Sequence, residues 1–366
     1  MSLAILGVGT AVPSKAIDQG TAGRLAEILC CRTAEQMTWL PTMYGNTGIK
    51  KRHMVLAGEL VDDVLNQTRH SQSVFLPSDP PGDGPSTAER MRVYVEMAGP
   101  MALQAAKQAL EQARVKSRDL THLVTVSCTG FNAPGVDFEL IQGLALPPTI
   151  QRTHVGFMGC HGALNALRVA KAFAEADRNS CVLVCATELC SLHYYYGWDP
   201  QKMVANALFG DGSAAVVGAA GSPGATAWKM AASGSCLFPD SADAMTWSIA
   251  DQGFEMTLSK KVPTLIAEHL RPWLEGWLSE QGLALGDVAS WAIHPGGPRI
   301  LSAVEESLGL PRGSAWASYE VFQEYGNMSS PTVLFIIERL RRADAARPCV
   351  ALGFGPGLVV EAALFE

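Results

Sequence analysis

Charge is scarce in this chain. Only 17% of its 366 residues are Asp, Glu, Lys or Arg, against 48% hydrophobic, and mean hydropathy is +0.12. Such a composition predicts a compact globular fold, with one large or two medium cores, and not a disordered chain. A basic stripe is lacking as well: the formal charge is −7 with both signs interspersed, which argues against a nucleic-acid partner. No apolar run approaches the ~20 residues that span a bilayer, so no integral membrane segment is expected. The opening stretch, residues 1–7, has no basic leader and meets Gly7, Gly9 and Pro13 at once. It reads as a first strand, not a signal peptide, and a cytoplasmic protein is expected.

Paired Cys-x-x-Cys motifs are absent too. The nine cysteines are odd in number and lie mostly in apolar runs, which argues against a secreted disulfide framework and against a structural zinc site. Gly-x-Ser-x-Gly is missing, so a serine triad has no motif here.

What remains is an alternation of strand and helix patterns. Residues 123–128 (LVTVSC) and 181–186 (CVLVCA) are short apolar runs of the kind buried in a sheet. Between them, residues 160–177 carry apolar side chains at helical spacing and no charge before Arg168, so this helix is expected to start buried. Further strands are expected at 213–217 and 291–293, helices at 262–280 and 328–342, and a closing hairpin at 349–354 and 358–365. Residues 73–86 read as a Pro- and Gly-rich loop, and the one plausible boundary lies near 219–224.

Three residues in this frame invite chemistry. Cys160 stands between Gly159 and Gly162 at a helix start, where free N–H groups and the dipole favour a thiolate, so a depressed thiol pKa is expected. Its bland alternative is a small buried hydrophobe. His161 follows directly, but adjacent helical residues point ~100° apart, so it is assigned to packing or the surface. His294 ends a strand before Pro-Gly-Gly-Pro, where α/β proteins form ligand crevices; a hydrogen-bonded structural histidine is the alternative. Asn327 precedes a helix and has the residue type of an N-cap. Taken together, thiolate, imidazole and amide suit acyl transfer, the sulfur attacking a thioester while His and Asn donate to the oxyanion.

The motifs around these residues resemble those of type III polyketide synthases, of which chalcone synthase is the best known. They are FMGC at 157–160, ALFGDG at 207–212, IHPGGP at 293–298, EYGNMSS at 324–330 and GFGPGL at 353–358. They occur in the family's order along essentially the whole chain. The resemblance implies a thiolase-like α/β fold, two similar halves in a five-layered α-β-α-β-α core. Residues 1–220 would carry the nucleophile Cys160, and residues 221–366 would carry His294 and Asn327. It implies a homodimer, acyl-CoA and malonyl-CoA as substrates, and no metal or bound organic cofactor.

Phe209 matches a gatekeeper between the coenzyme A tunnel and the inner cavity. Gly297 and Pro356 lie within substrate-binding motifs, and the 353–357 loop would floor the cavity. Departures from the plant pattern are Met256 at a second gatekeeper and Cys128, Cys190 and His193 at cavity threonines. Ala133 stands where a methionine reaches across the dimer, and Ala205 is also small. Basic residues near coenzyme A are replaced at Trp39, Thr42 and Asn46, leaving Lys50, Lys51 and Arg52 as substitutes. Residues 247–263 resemble bacterial members that make alkylpyrones or alkylresorcinols from long fatty acyl starters, although Trp247 could fill the same space. A ketoacyl-acyl-carrier-protein synthase III, or a non-catalytic acyl-binding relative, would share the fold.

Overall fold

The computed structural model describes residues 2–78, 82–221 and 227–366. Its first half runs β1 (Leu3–Ala11), β2 (Ala16–Asp18), α1 (Gln19–Cys30), α2 (Ala34–Gly45), β3 (Lys51–His53), α3 (Glu59–Asn66), α4 (Thr87–Ala113) and β4 (His122–Ser127). It continues through α5 (Val136–Gly143), β5 (Gln151–Gly156), α6 (Gly162–Ala176), β6 (Cys181–Leu189), α7 (Pro200–Leu208) and β7 (Asp211–Ala220). The second half runs β8 (Lys229–Leu237), β9 (Met245–Ala250), β10 (Gly253–Leu258), α8 (Val262–Glu280), β11 (Ser290–Ile293) and α9 (Pro298–Leu308). It ends with α10 (Trp316–Tyr325), α11 (Pro331–Arg342), β12 (Cys349–Gly355) and β13 (Val359–Phe365). The boundary expected near 219–224 meets the end of β7; residues 222–226 of the linker, like 79–81 of the 73–86 loop, lie outside the described residues.

Strand periodicity builds the layers. On β6, Val182, Val184 and Ala186 face one way, into a cluster with Leu164, Leu167 and Ala170 of α6 and Leu334 and Ile337 of α11. Leu183 and Cys185 face the other way, against Ala102, Ala105 and Ala109 of α4. The second half repeats the device: Cys349 and Ala351 of β12 join the α6–α11 cluster, while Val350 and Leu352 meet Leu270 and Leu274 of α8 and Leu301 of α9. Period-two alternation puts apolar side chains on both faces of each strand. Helices therefore cover both faces of each half, and α6 and α11 lie sandwiched between them. This is the five-layered arrangement.

The two sheet halves are not separate. Among the described residues, nine strands follow the order β11-β12-β13-β8-β1-β7-β6-β4-β5, because β1 pairs with β8 at Leu3↔Met230 and Ala4↔Lys229. A two-stranded β9–β10 hairpin stands apart, with Met256 opposite Trp247.

Candidate active site

Cys160 is held by a strained turn. After β5, Phe157 takes a left-handed φ of 59° and Gly159 one of 77°; such a conformation costs a non-glycine residue ~1–3 kcal/mol. A Cβ on Gly159 would lie 2.3 Å from Cδ of Pro356, so only glycine lets the 353–357 loop close against the turn. Gly159 to His161 form a single 3-10 turn leading into α6. Cys160 is 7% exposed and opens into a cavity. Burial pushes its thiol up to about 11, against the pull of Ser329 and Asn327 and with the push of Glu188. This direction is opposite to the low-pKa thiolate expected from the sequence, because burial of the thiol outweighs the hydrogen bonds from Ser329 and Asn327.

Asn327 comes from the other half. Its backbone N–H donates to Leu208 O at 2.9 Å and its carbonyl accepts from Gly210 N at 2.9 Å, so two of the sequence motifs are zipped together. It is not an N-cap, because α11 begins at Pro331 after Ser330. Its Oδ1 accepts from the Ser329 amide at 2.7 Å, which leaves Ser329 at φ 59°. Asn327 is close enough to favour the Cys160 thiolate, yet its buried Nδ2 has no hydrogen-bond partner.

His294 continues β11, its amide donating to Leu352 O at 2.8 Å. It is wholly buried, neither ring nitrogen has a partner, and burial, with neighbouring His161, pushes its imidazole down to about 3. It is a neutral ring. Buried polar atoms without partners cost ~1–3 kcal/mol each, so three in two neighbouring motifs mark a place where a ligand completes the bonding.

The cavity itself is apolar and narrow, giving about 60 Å³ to the centre of a water-sized sphere, room for about four or five waters. Cys128, Cys190, His193, Ala205, Phe209, Met256 and Pro356 all line it, together with Trp247 and Phe254. Cys128 is pinned by Gly159 N at 3.0 Å. His193 is spent on structure: Nε2 donates to Thr129 O at 2.7 Å and Nδ1 accepts from Phe254 N at 2.9 Å. Trp247 Nε1 donates to Cys128 O at 2.7 Å, so the indole does stand beside Cys128. Ala133 lies elsewhere, in an exposed depression with Phe131, Asn132 and Pro134.

Gly297 lines another depression, with Trp39, Thr42, Asn46, Lys260 and Arg299, which shares α7 and β10 with the first. Of the expected coenzyme A residues, Arg52 needs correction. Arg52 is 1% exposed, and its guanidinium donates to Asn206 O at 2.7 Å and Phe209 O at 2.6 Å. Saturated by carbonyls, it braces the Phe209 turn and has no surface for a phosphate. Lys50 and Lys51 are exposed, beside Glu324.

Sequence reasoning missed Glu188, wholly buried beneath the site, where it accepts from Cys128 N, Thr129 Oγ1 and Ser330 Oγ at 2.9, 2.7 and 2.6 Å. A carboxylate inside an apolar strand was the available signal. No cluster of metal-ligating side chains and no helix long and apolar enough to cross a membrane occur among the described residues.

Comparison with known proteins agrees with this architecture. The family model for the chalcone and stilbene synthase N-terminal domain matches residues 2–222, and that for the C-terminal domain residues 229–366. The Mycobacterium tuberculosis alpha-pyrone synthesis polyketide synthase-like Pks18 is 32% identical, covering 99% of this chain and 90% of its own. Bisdemethoxycurcumin synthase of Oryza sativa is 35% identical over 78% of this chain and 75% of its own. PKS-I of the brown alga Ectocarpus siliculosus superposes with a TM-score of 0.90 at 29% identity, over 100% of this chain and 98% of that one. The C-terminal type III polyketide synthase domain of Dictyostelium Steely1 gives 0.89 at 26%, over 100% and 99%. With both family domains matched in order along the chain, it belongs to the chalcone and stilbene synthase family and is a type III polyketide synthase, a condensing acyltransferase.

Proposed function

We propose that this enzyme loads a fatty acyl starter from coenzyme A onto Cys160, extends it with malonyl-CoA and releases a pyrone. The observation that carries the reading is a buried sulfur that opens into an apolar cavity and is within reach of Asn327, in a protein whose buried His294 and Asn327 keep polar atoms without partners. In loading, His294 takes the Cys160 proton as the sulfur attacks the thioester carbonyl, so no free ion pair forms beforehand, and the leaving coenzyme A sulfur recovers the proton. In extension, malonyl-CoA loses carbon dioxide, and donors from Asn327 and His294 hold the enolate oxygen. The enolate carbon then attacks the Cys160 thioester, forming the new C–C bond and freeing the thiolate. Attack of an enol oxygen of the poly-β-keto chain on its own thioester closes the lactone. The alpha-pyrone description of Pks18 supports lactone over aldol closure.

The second depression is the entry we assign to coenzyme A, with Lys260 and Arg299 as its phosphate partners in place of Lys50, Lys51 and Arg52. Exposed Met97, Phe131 and Phe138, near Ala133, form the face proposed to meet a second copy of the chain. A second reading, an aromatic starter, is favoured by the Trp247 and Phe254 lining. Mass spectrometry of products from hexanoyl- through palmitoyl-CoA against an aromatic acyl-CoA decides between them. Turnover that climbs with chain length supports the fatty acyl reading, and turnover confined to the aromatic ester overturns it.

A further inference from the structure

The residue beside the nucleophile is neither exposed nor simply packed. His161 is 2% exposed, and its Nδ1 lies 2.7 Å from Asn165 Oδ1. The Asn165 amide nitrogen donates to Glu361 Oε1 at 3.0 Å, so Oδ1 is the acceptor and His161 Nδ1 carries the proton. Glu361 in turn takes Ser235 Oγ at 2.8 Å and Arg168 at 2.7 Å. A chain of bonds thus runs from β13 through α6 to the imidazole.

The other side of that ring is set against β12, which pairs with β11, the strand that His294 continues. A Cβ on Gly353 would lie 3.0 Å from His161 Cβ, and one on Gly355 would lie 2.3 Å from its Nε2. The residue before Gly353, Leu352, accepts the His294 amide. The groups facing the two rings divide unevenly. Burial pushes the His161 imidazole below its ordinary value, with Asn165 and Glu361 opposing that fall and Arg168 adding to it. His294 has no carboxylate neighbour; the one charge that acts on it is that of His161.

We propose that His161 is a positioning residue that governs whether His294 can take the proton of Cys160 during starter loading. Uncharged, His161 leaves His294 free to become the imidazolium as the sulfur attacks. Charged, with Glu361 as its counter-ion through Asn165, it places a like charge beside His294 and blocks that transfer. Glu361 supports a proton on His161 through Asn165, while no carboxylate supports one on His294, so the acid limb of loading is assigned to His161. Malonyl-CoA decarboxylation needs His294 only as a neutral donor and escapes this control. The inference rests on the proposed role of His294 as proton acceptor.

The test is the rate of Cys160 acylation by octanoyl-CoA, read by intact mass from pH 5 to 9, with malonyl-CoA decarboxylation measured in the same samples. His161→Gln keeps a partner for Asn165 but cannot titrate, and its acylation limb is expected at least about one pH unit lower. Arg168→Gln removes the opposing cation from a partly exposed position and is expected to move the limb upward. Neither is expected to move the decarboxylation limb. Opposite shifts are something a purely structural role would not give. Wild-type limbs in both variants, or shifts of the same sign that follow the melting temperature, overturn the inference. If His161→Gln does not fold, Glu361→Gln replaces it, with a downward shift expected. His294→Ala separates the two levels: acylation at the wild-type rate sinks the His294 reading itself, whereas lost acylation with unmoved His161 limbs sinks only this inference.

Discussion

The cavity lining and the buried His294–Asn327 side of the site treat their polar atoms in opposite ways. In the lining, on and around the hairpin, Trp247 donates to Cys128 O, His193 to Thr129 O and Lys202 to Glu255 at 2.9 Å, and Thr246 bonds with Thr257. Both nitrogens of His294 and Nδ2 of Asn327, by contrast, are buried and unspent. A satisfied side is rigid and fixes shape; an unsatisfied one sacrifices stability to keep donors ready for charge that appears only during reaction. The contrast assigns chemistry to one side and size selection to the other.

The largest effect should come from the unsatisfied side. Asn327→Ala is expected to lower malonyl-CoA decarboxylation by about 10²–10³-fold, the usual scale for one oxyanion donor. Cys160→Ala should keep decarboxylation and lose condensation altogether, since the enolate donors do not need the sulfur. Carbon dioxide release and product formation, measured side by side, check both. An Asn327→Ala variant that decarboxylates at the wild-type rate would remove Asn327 from the chemistry.

Stability should respond in the opposite sense. His294 makes no side-chain hydrogen bond, so His294→Leu is expected to leave thermal stability level or raise it by up to ~1–3 kcal/mol while abolishing loading. Glu188→Leu removes the acceptor of Cys128 N, Thr129 and Ser330 and should lower stability by a similar amount. Denaturant unfolding of the two variants tests the pair. If His294→Leu is the less stable protein, the idea of a strained donor side fails.

Alkylation gives a smaller, graded effect. With its thiol raised to about 11, the resting Cys160 is mostly protonated at neutral pH. Its iodoacetamide labelling rate should climb about tenfold per pH unit between 6 and 9, following the thiolate fraction. Cys128 and Cys190 are raised further by burial and should lag behind throughout. A plateau already reached by pH 7 would restore the low-pKa thiolate expected from the helix start.

Much of the framework could be read from the sequence, because it rests on local periodicity. The helix expected at 262–280 coincides with α8, and the closing hairpin differs by a residue from β12 and β13. What escaped the sequence was burial produced by distant contacts. The helix start at Cys160 was legible, but its enclosure by Glu188, Ser329 and Pro356 was not, so the sign of the thiol shift was misjudged. Arg52 sits beside two lysines in sequence and looks like one of three surface cations. Only the fold turns it inward onto carbonyls of Asn206 and Phe209. Asn327 had a cap's sequence context, but the β-bridge to Phe209 moves it off the helix start.

The smallest effect should come from the satisfied lining, where Trp247 decides how far an acyl chain can run. The indole is fixed at its nitrogen by Cys128 O and edge-on to His193 and Phe254, with ring centroids 5.7 and 5.9 Å away. It stands opposite Met256, an unbranched side chain able to swing aside. Trp247→Phe removes the anchoring bond and part of the ring, widening the cavity beside Cys128. Each methylene that gains burial there contributes ~0.8 kcal/mol, about fourfold in kcat/KM. Room for one or two more carbons therefore predicts a gain of about 4- to 15-fold for the longest accepted starters, with short ones unchanged. Ala205→Leu, on the α7 side of the same cavity, should shift the limit the other way. Steady-state kinetics from hexanoyl- to palmitoyl-CoA read out both changes. Superimposable length profiles for the wild type and the two variants would mean that the hairpin wall does not measure the starter.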